Sequence, residues 1–218
     1  MKSRYGAILA LFLIATAARG VDFEEVSFET ADGGTIYANL YGEGSHAVIL
    51  GHGRVFNKES WHELALAIEA KGLSVLAVDF RGYGKSKEGR RPDARHLDLL
   101  GGMRFLKNRG AEKVSLLGGS MGGGAAAQAA VDSKEGEIEK LILLAHVPVG
   151  APKKLKGDKL FIVSEGDRLA SSVKSQYQKA AKPKRLEILG GSAHAQHIFK
   201  TEQGDALTKM IVDFLAME

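Results

Sequence analysis

The sequence predicts an α/β protein in which a mostly parallel sheet of about eight strands is covered by helices on both faces. Three observations lead to this prediction. Short continuous apolar runs, such as 47–50 and 73–78, are typical of parallel strands that are buried on both faces. Helical patterns separate these runs at short intervals, as right-handed βαβ units require. The chain has 218 residues, which suits one domain large enough to bury a core.

Two strands at the start of the chain differ from the later ones. Residues 23–30 alternate apolar and polar side chains, and residues 35–41 follow the turn signal Asp32-Gly33-Gly34. We expect these two to form an antiparallel edge of the sheet. We expect the later strands at 47–50, 73–78, 114–117, 141–145, 160–164 and 185–189, with helices at 58–71, 93–109, directly after Ser120, 170–181 and 201–217.

The first 20 residues have the pattern of a secretory signal. Lys2 and Arg4 precede an apolar run over 6–15, and Ala15-Thr16-Ala17-Ala18 offers a cleavage site of small residues. The apolar run is short for a membrane-spanning helix, which needs about 20 residues. We therefore predict a signal peptide at 1–18 and a single domain at 19–218, exported to a bacterial periplasm or secreted, with no stable membrane insertion after cleavage. The alternative is an uncleaved N-terminal membrane anchor.

Charge and cysteine content exclude several classes of function. The formal net charge is +4, or +2 without Lys2 and Arg4, which is too small to argue for a nucleic-acid partner. The chain has no cysteine, which excludes disulfides, zinc thiolates, a lipid-modified N-terminal cysteine and a cysteine nucleophile. We expect no cofactor and no metal.

A candidate nucleophile stands at Ser120, in the run Gly118-Gly119-Ser120-Met121-Gly122. This run fits the G-x-S-x-G pattern of a nucleophile elbow. A serine at a tight strand-to-helix turn holds its hydroxyl above the sheet, and the flanking glycines leave room for the backbone. Met121 would open the helix, so its N–H can bind an oxyanion. By itself, the pattern also fits a glycine-rich turn before an ordinary alanine-rich helix.

Candidates for an acid and a base follow the last two strands. Asp167 comes after the first of them, with Glu165 as its nearest rival. His194 and His197 follow the second, and we favour His194 because it lies nearer the glycine turn. The order Ser120, Asp167, His194 is the one expected for this sheet topology. Because active sites in such sheets lie at the carboxyl ends of the strands, we expect the three side chains to meet there.

Two further strand ends carry candidate site residues. Gly51-His52-Gly53-Arg54 follows the first buried strand, and we expect the Arg54 N–H to bind an oxyanion alongside that of Met121. The ring of His52 is expected to hold this loop rather than to transfer protons. His146 follows the strand at 141–145 and is a candidate for contact with substrate, but we favour a role in the core or in the loop.

The loop Asp79-Phe80-Arg81-Gly82-Tyr83-Gly84-Lys85-Ser86 completes a resemblance to the α/β-hydrolase superfamily over essentially the whole predicted mature chain. The residues that carry it are His52-Gly53, this Asp-x-Arg-Gly-x-Gly-x-Ser loop, the elbow at 118–122, Asp167 and His194. The resemblance implies a three-layer α/β-hydrolase sandwich. It also implies a serine hydrolase that works through an acyl-enzyme, with Ser120, Asp167 and His194 as its triad and the N–H groups of Met121 and Arg54 as oxyanion donors.

One departure from the family concerns the lid. Only about 14 residues separate Ala145 from Leu160, too few for the helical cap that many members carry. We therefore expect an open site and small or exposed ester substrates, as in a carboxylesterase. Thioesterase, peptidase-type and dienelactone-type activity stay open, although the last more often uses cysteine. A non-catalytic binding protein is the alternative from a different class. The sequence does not indicate an oligomeric state.

Overall fold

The computed structural model describes residues 22–217, and the predicted signal peptide at 1–18 lies outside them. Within this range the chain forms one eight-stranded sheet. Its strands are β1 (Glu24–Glu29), β2 (Thr35–Tyr41), β3 (His46–Gly51), β4 (Ser74–Val78), β5 (Lys113–Gly119), β6 (Lys140–Leu144), β7 (Asp158–Ser164) and β8 (Lys184–Leu189). Their order across the sheet is β1-β2-β4-β3-β5-β6-β7-β8.

The direction of the strands confirms the predicted architecture. β1 pairs with β2, and β2 with β4, in antiparallel fashion, while the six strands from β3 to β8 all run parallel. The predicted N-terminal hairpin is therefore the antiparallel edge of the sheet. Every residue of β4 and β6 is buried, as expected for strands covered on both faces. At the other edge, β8 is only partly covered, and Ile188 is 46% exposed.

Five α-helices cover the sheet in the described part of the chain: α1 (His62–Glu69), α2 (His96–Asn108), α3 (Met121–Asp132), α4 (Ala170–Lys179) and α5 (Gly204–Ala216). α1 packs against α5, and α2 against α3, so the two pairs cover the two faces of the sheet. Between β6 and β7 lies a single 3-10 turn, Pro152–Lys154, and no helical lid. Within residues 22–217, no helix is long and apolar enough to cross a membrane.

The helix predicted at 58–71 begins later than expected. Lys58–Trp61 forms a 3-10 turn, and α1 starts only at His62. The buried carboxylate of Asp79 accounts for the difference, because it accepts hydrogen bonds from the Lys58 backbone N–H at 2.9 Å and from the Lys58 ammonium at 3.1 Å. These contacts hold the end of β4 against the loop that follows β3, which is where the site lies.

The buried side chain of Arg81 braces the loop after β4. Its guanidinium donates to Asp32 at 2.9 Å and to Asp98 at 2.7 Å, and all three side chains are almost inaccessible to solvent. The hydrogen bonds from Arg81 hold the pKa of the Asp32 carboxyl well below its usual range. Arg81 therefore joins the β1–β2 turn, the loop after β4 and α2, and it fixes the loop on which Tyr83 lies.

Candidate active site

Ser120 lies at a strained turn between β5 and α3. Its φ of 53° and ψ of −112° are unusual for a residue with a side chain. Three backbone hydrogen bonds hold it in place: its N–H donates to the Leu144 carbonyl at 2.9 Å, and its carbonyl accepts from the N–H groups of Gly124 and Val147, both at 3.0 Å. The turn places the hydroxyl at the carboxyl end of the central strands, as the elbow pattern predicts.

The two glycines of the elbow are required by close backbone contacts. A Cβ on Gly118 would overlap the backbone of Gly122, and a Cβ on Gly122 would overlap the carbonyl of Gly51 at the end of β3. The turn at Ser120 can therefore pass close to β3 only because both positions lack side chains. This geometry favours the nucleophile-elbow interpretation over that of an ordinary glycine-rich turn.

The imidazole of His194 joins Ser120 to Asp167. Its Nε2 lies 2.8 Å from the Ser120 Oγ, and its Nδ1 lies 2.7 Å from the Asp167 Oδ2. An ionised carboxylate can only accept hydrogen bonds, so Nδ1 carries the proton and Nε2 accepts from the serine hydroxyl. The Asp167 side chain is buried, and its Oδ1 accepts a further hydrogen bond from the Leu169 N–H at 2.8 Å. The structure thus brings the three predicted residues into one hydrogen-bonded chain.

The two rival residues lie apart from this chain. Glu165 is exposed, and neither carboxylate oxygen of this residue bonds to a histidine in the described structure. His197 is also exposed, in the 3-10 segment Ala195–Lys200, and its ring packs on Phe56 with the centroids 4.9 Å apart. The geometry therefore favours Asp167 over Glu165 and His194 over His197.

The N–H groups of Met121 and Arg54 are available to a ligand. Within residues 22–217 neither makes a hydrogen bond, and Met121 is the first residue of α3. The direction of the Arg54 N–H is fixed indirectly. The Gly53 carbonyl accepts from the Phe56 N–H at 3.0 Å and from the His52 Nδ1 at 2.9 Å. Because the C=O and N–H of one peptide point in opposite directions, these bonds also orient the Arg54 N–H.

His52 is a buried neutral ring that holds this loop. Its Nε2 accepts a hydrogen bond from the Phe80 N–H at 3.2 Å, so the proton lies on Nδ1, which donates to Gly53. Burial lowers the pKa of His52, which keeps the ring neutral. The ring thus has both nitrogens engaged with backbone groups, in keeping with the structural role that we expect for it.

Gln196 joins the histidine loop to the loop after β3, and the sequence analysis did not single it out. Its Oε1 accepts from the Gly53 N–H at 2.6 Å, and its Nε2 donates to the Ser60 Oγ at 2.6 Å. The side chain is buried, and the preceding Ala195 has a positive φ of 49° that turns it inward. An amide two residues after the candidate base was the only available signal in the sequence.

Tyr83 contacts both residues whose N–H groups are free. Its hydroxyl donates to the Arg54 carbonyl at 3.0 Å and lies 3.8 Å from the Met121 sulfur. Its ring also packs on His52, with the centroids 4.6 Å apart. This tyrosine belongs to the Asp-x-Arg-Gly-x-Gly-x-Ser loop, which therefore supports the site as well as the fold.

His146 lies in the core, the role that we favour from the sequence, and its candidate role as a substrate contact is not supported. The ring is completely buried, packs on Phe161 with the centroids 5.5 Å apart, and has no hydrogen-bond partner within residues 22–217. Burial lowers its pKa to about 4. The turn at Ala145, with a φ of 43°, directs residue 146 into the interior, and the next residue, Val147, faces the surface instead.

A cleft of about 370 Å³ reaches Met121, the residue after the serine, and we call it the Arg95 cleft. It is lined by Arg54, Asp93, Arg95, His96, Met121, Gly124, Ala125, Gln128 and residues 147–150. It is open to solvent, in keeping with the short β6–β7 connection. In the part of the chain that the structure describes, no group of three or more histidine and acidic side chains is placed to hold a metal.

Comparison with known proteins agrees with the fold. Residues 46–156 match the family described as the alpha/beta hydrolase fold. The chain belongs to this family. The matched region of this hydrolase-fold protein contains the loop after β3, the Arg81 loop and the elbow, whereas Asp167 and His194 lie beyond it.

Individual relatives are more distant. The chain is 29% identical to a non-heme chloroperoxidase of Streptomyces lividans over 133 residues, which cover 59% of this chain and 46% of that protein. It therefore spans about half the length of this relative. An esterase of Pyrococcus furiosus has a similar structure, with a TM-score of 0.74 and 18% identity over 88% of this chain and 91% of that one. The structure of an esterase of Exiguobacterium antarcticum is also similar, with a TM-score of 0.75 and 18% identity over 89% of this chain and 100% of that one.

Proposed function

We propose that this alpha/beta hydrolase-fold protein is a serine hydrolase that cleaves carboxylic esters through an acyl-enzyme. One observation carries the proposal: the hydrogen-bonded chain from the Ser120 Oγ through His194 to the buried Asp167. This arrangement activates a serine that would otherwise be a weak nucleophile, since the imidazole can take its proton during attack. A protein that only binds ligands has no need of these three groups in this geometry.

Acylation begins when the Ser120 Oγ attacks the ester carbonyl carbon and its proton passes to the His194 Nε2. The carbonyl oxygen becomes an oxyanion, and the N–H groups of Met121 and Arg54 donate to it. The ester bond then breaks, and the leaving alcohol takes the proton from Nε2. Throughout, the Asp167 carboxylate holds the proton on Nδ1 and stabilises the imidazolium.

Deacylation repeats these steps with water as the nucleophile. His194 takes a proton from water as its oxygen attacks the acyl carbon, and the same two N–H groups bind the second oxyanion. The bond to Ser120 breaks, its oxygen regains the proton from His194, and the carboxylic acid leaves. No cofactor or metal takes part in this scheme. Arg54 and Met121 need to supply only backbone groups.

We further propose that the substrates are small or exposed acyl compounds. The short β6–β7 connection leaves the site without a helical cover, and the Arg95 cleft, which Met121 lines, is open to solvent. The esterases with similar structures are 18% identical to this chain and bear on the fold alone. Thioester and peptide substrates are the alternatives. On the pattern of residues 1–18, we also propose that the protein is exported.

The similarity to a chloroperoxidase supports a second candidate, a peroxide-dependent halogenation. It rests on a relative of which this chain covers less than half, whereas ester hydrolysis rests on the geometry at Ser120. A halide and peroxide assay on the same preparation separates the two. Halogenation without ester hydrolysis would replace the esterase proposal.

The proposal is tested with 4-nitrophenyl esters of increasing acyl length, using the wild-type protein and Ser120→Ala. We expect turnover that declines for long acyl chains and is lost in Ser120→Ala. Turnover that persists in the variant would reject the nucleophile. An absence of turnover with all ester, thioester and amide substrates would favour the non-catalytic binding protein.

A further inference from the structure

Two groups of residues in the lining of the Arg95 cleft bear on its ligand, and the rest of the lining includes His96, Gln128 and the exposed carboxylate of Asp93. Arg54 and Arg95, from the loop after β3 and the start of α2, carry positive charge. Apolar side chains come from α3 and from the loop after β6, and these are Ala125, Val147, Pro148 and Val149. A cleft of this composition suits a ligand that has an apolar stem and an anionic end.

The guanidinium of Arg95 lacks a strong partner within the described residues. Its Nε is buried and makes no hydrogen bond there. The nearest carboxylate, that of Asp93, lies 3.9 Å from Nη1 and is fully exposed, so solvent screens this ion pair. Arg95 also lies near the loop that carries the oxyanion donor Arg54, since both arginines line the cleft. The pKa of His52, which lies in that loop, is lowered mainly by burial and also by the positive charge of Arg95.

The position of His194 decides which part of a substrate faces this cleft. In the proposed mechanism the leaving alcohol takes its proton from the His194 Nε2, so the alcohol lies on the side of that ring. No residue of the loop at 190–197 lines the cleft, whereas Arg54 and Met121, the two oxyanion donors, both do. The acyl group is therefore the part that extends from the oxyanion site into the cleft.

We propose that the Arg95 cleft binds the acyl chain of substrates that end in a carboxylate, namely monoesters of short dicarboxylic acids. The planar guanidinium of Arg95 matches a carboxylate with two parallel hydrogen bonds, which an ammonium cannot provide. The apolar residues of α3 and of the loop after β6 contact the methylene stem. This inference rests on the proposed ester hydrolysis, because it assigns the acyl side of that reaction.

Two substrates of equal shape test this inference. The 4-nitrophenyl monoester of glutaric acid ends in a carboxylate, and the 4-nitrophenyl ester of 5-methylhexanoic acid ends in an isopropyl group of the same form. We expect wild-type protein to favour the glutarate ester in kcat/KM. In Arg95→Gln the ratio of the two kcat/KM values should fall on the order of tenfold, the usual effect of one charge-assisted hydrogen bond. Arg95→Lys should retain only part of the preference.

The matched control is Arg104→Gln, which removes an exposed arginine from the same helix but outside the cleft. We expect the ratio in this variant to equal that of the wild type. An equal fall in Arg104→Gln would show a general effect of net charge and would overturn the proposal. A ratio that is unchanged in Arg95→Gln would also overturn it, while ester hydrolysis itself would stand.

A binding measurement covers the case in which the wild type hydrolyses neither ester, which would count against the proposed function. Monomethyl glutarate is titrated calorimetrically into Ser120→Ala and into the double variant Ser120→Ala/Arg95→Gln. If Ser120→Ala binds monomethyl glutarate and the double variant binds it about tenfold more weakly, the anionic subsite is supported independently of turnover. Equal binding to both, or binding to neither, would overturn it.

Discussion

The side-chain oxygen of Gln196 accepts a hydrogen bond from the Gly53 N–H at 2.6 Å, and this contact joins the loop of His194 to the loop of Arg54. The same amide donates to Ser60, so Gln196 is held at both ends. The base and one oxyanion donor of the proposed mechanism are therefore positioned by one buried side chain. Both side-chain hydrogen bonds of Gln196 in the described residues go to other parts of the protein, Gly53 and Ser60, so Gln196 acts as a positioning residue.

Replacing Gln196 by alanine should reduce kcat more than it changes KM. The Gly53 N–H loses its acceptor, and the Arg54 N–H and the His194 ring lose their common support. We expect kcat to fall about tenfold to a hundredfold, less than for loss of an oxyanion donor itself. Steady-state kinetics check this, with the exposed Gln178→Ala as control. A change in thermal stability with unaltered kcat would show that Gln196 is only structural.

The triad assignment predicts different effects for Asp167 and its neighbour Glu165. Asp167→Asn should lower kcat by about 10⁴, because the amide no longer holds the His194 proton on Nδ1. Glu165→Gln should leave kcat close to that of the wild type, since this side chain is exposed and the carboxylate bonded to His194 is that of Asp167. His194→Ala and His197→Ala form a second matched pair with the same contrast. Equal losses within either pair would contradict the assignment.

The hydrogen bond from His52 to the Gly53 carbonyl predicts a role in orienting the Arg54 N–H. His52→Leu removes this donor, and we expect kcat to fall about tenfold or more while substrate affinity changes little. Because burial lowers the pKa of His52 from its ordinary value of 6.5, the ring is neutral at pH 7 and above, and the loss should be the same across pH 7 to 8. A loss that varies with pH over this range would instead indicate that His52 transfers protons.

The buried ring of His146 should make the folded protein less stable in acid. Its pKa is lowered from 6.5 to about 4 by burial, so the unfolded chain takes up a proton at a higher pH than the folded protein does. The stability contributed by the neutral His146 is therefore fully present above pH 6.5 and is lost as the pH falls from 6.5 towards 4. At one pKa unit per 1.36 kcal/mol, the loss at this residue reaches about 3 kcal/mol.

Urea denaturation at pH 7 and pH 5 measures this effect. Wild type and His146→Leu are compared, since the other buried histidines contribute equally to both. Between pH 7 and pH 5 the free energy of unfolding should fall in both proteins. We expect the fall in His146→Leu to be about 2 kcal/mol smaller than the fall in the wild type. The half-buried His62→Leu serves as the control. An equal acid sensitivity of wild type and His146→Leu would refute the prediction.

The strands and the site were predictable for one common reason. Buried parallel strands are continuous apolar runs, and their polar residues are concentrated where the chain leaves the sheet, so Ser120, Asp167 and His194 could be assigned to one edge. Residues whose direction depends on a local turn were less predictable. The positive φ of Ala145 sends His146 inward, and the positive φ of Ala195 directs Gln196 towards Gly53. Neither turn carries a glycine that would have marked it in the sequence.

The Arg95 cleft could not be predicted either. It is formed by loops and helix ends that are far apart in the chain, and no motif joins Arg54, Arg95 and Val147. The start of α2 was expected at about residue 93 and lies at His96. Such a shift changes which side chains of the loop face the cleft.

The most direct test of the account is covalent labelling of the serine. The protein is treated with a fluorophosphonate probe, which reacts with activated serines, and the modified residue is identified by peptide mass spectrometry. The account predicts one adduct on Ser120, lost in Ser120→Ala and slowed strongly in His194→Ala. An adduct on another residue, or equal labelling of wild type and Ser120→Ala, would contradict it.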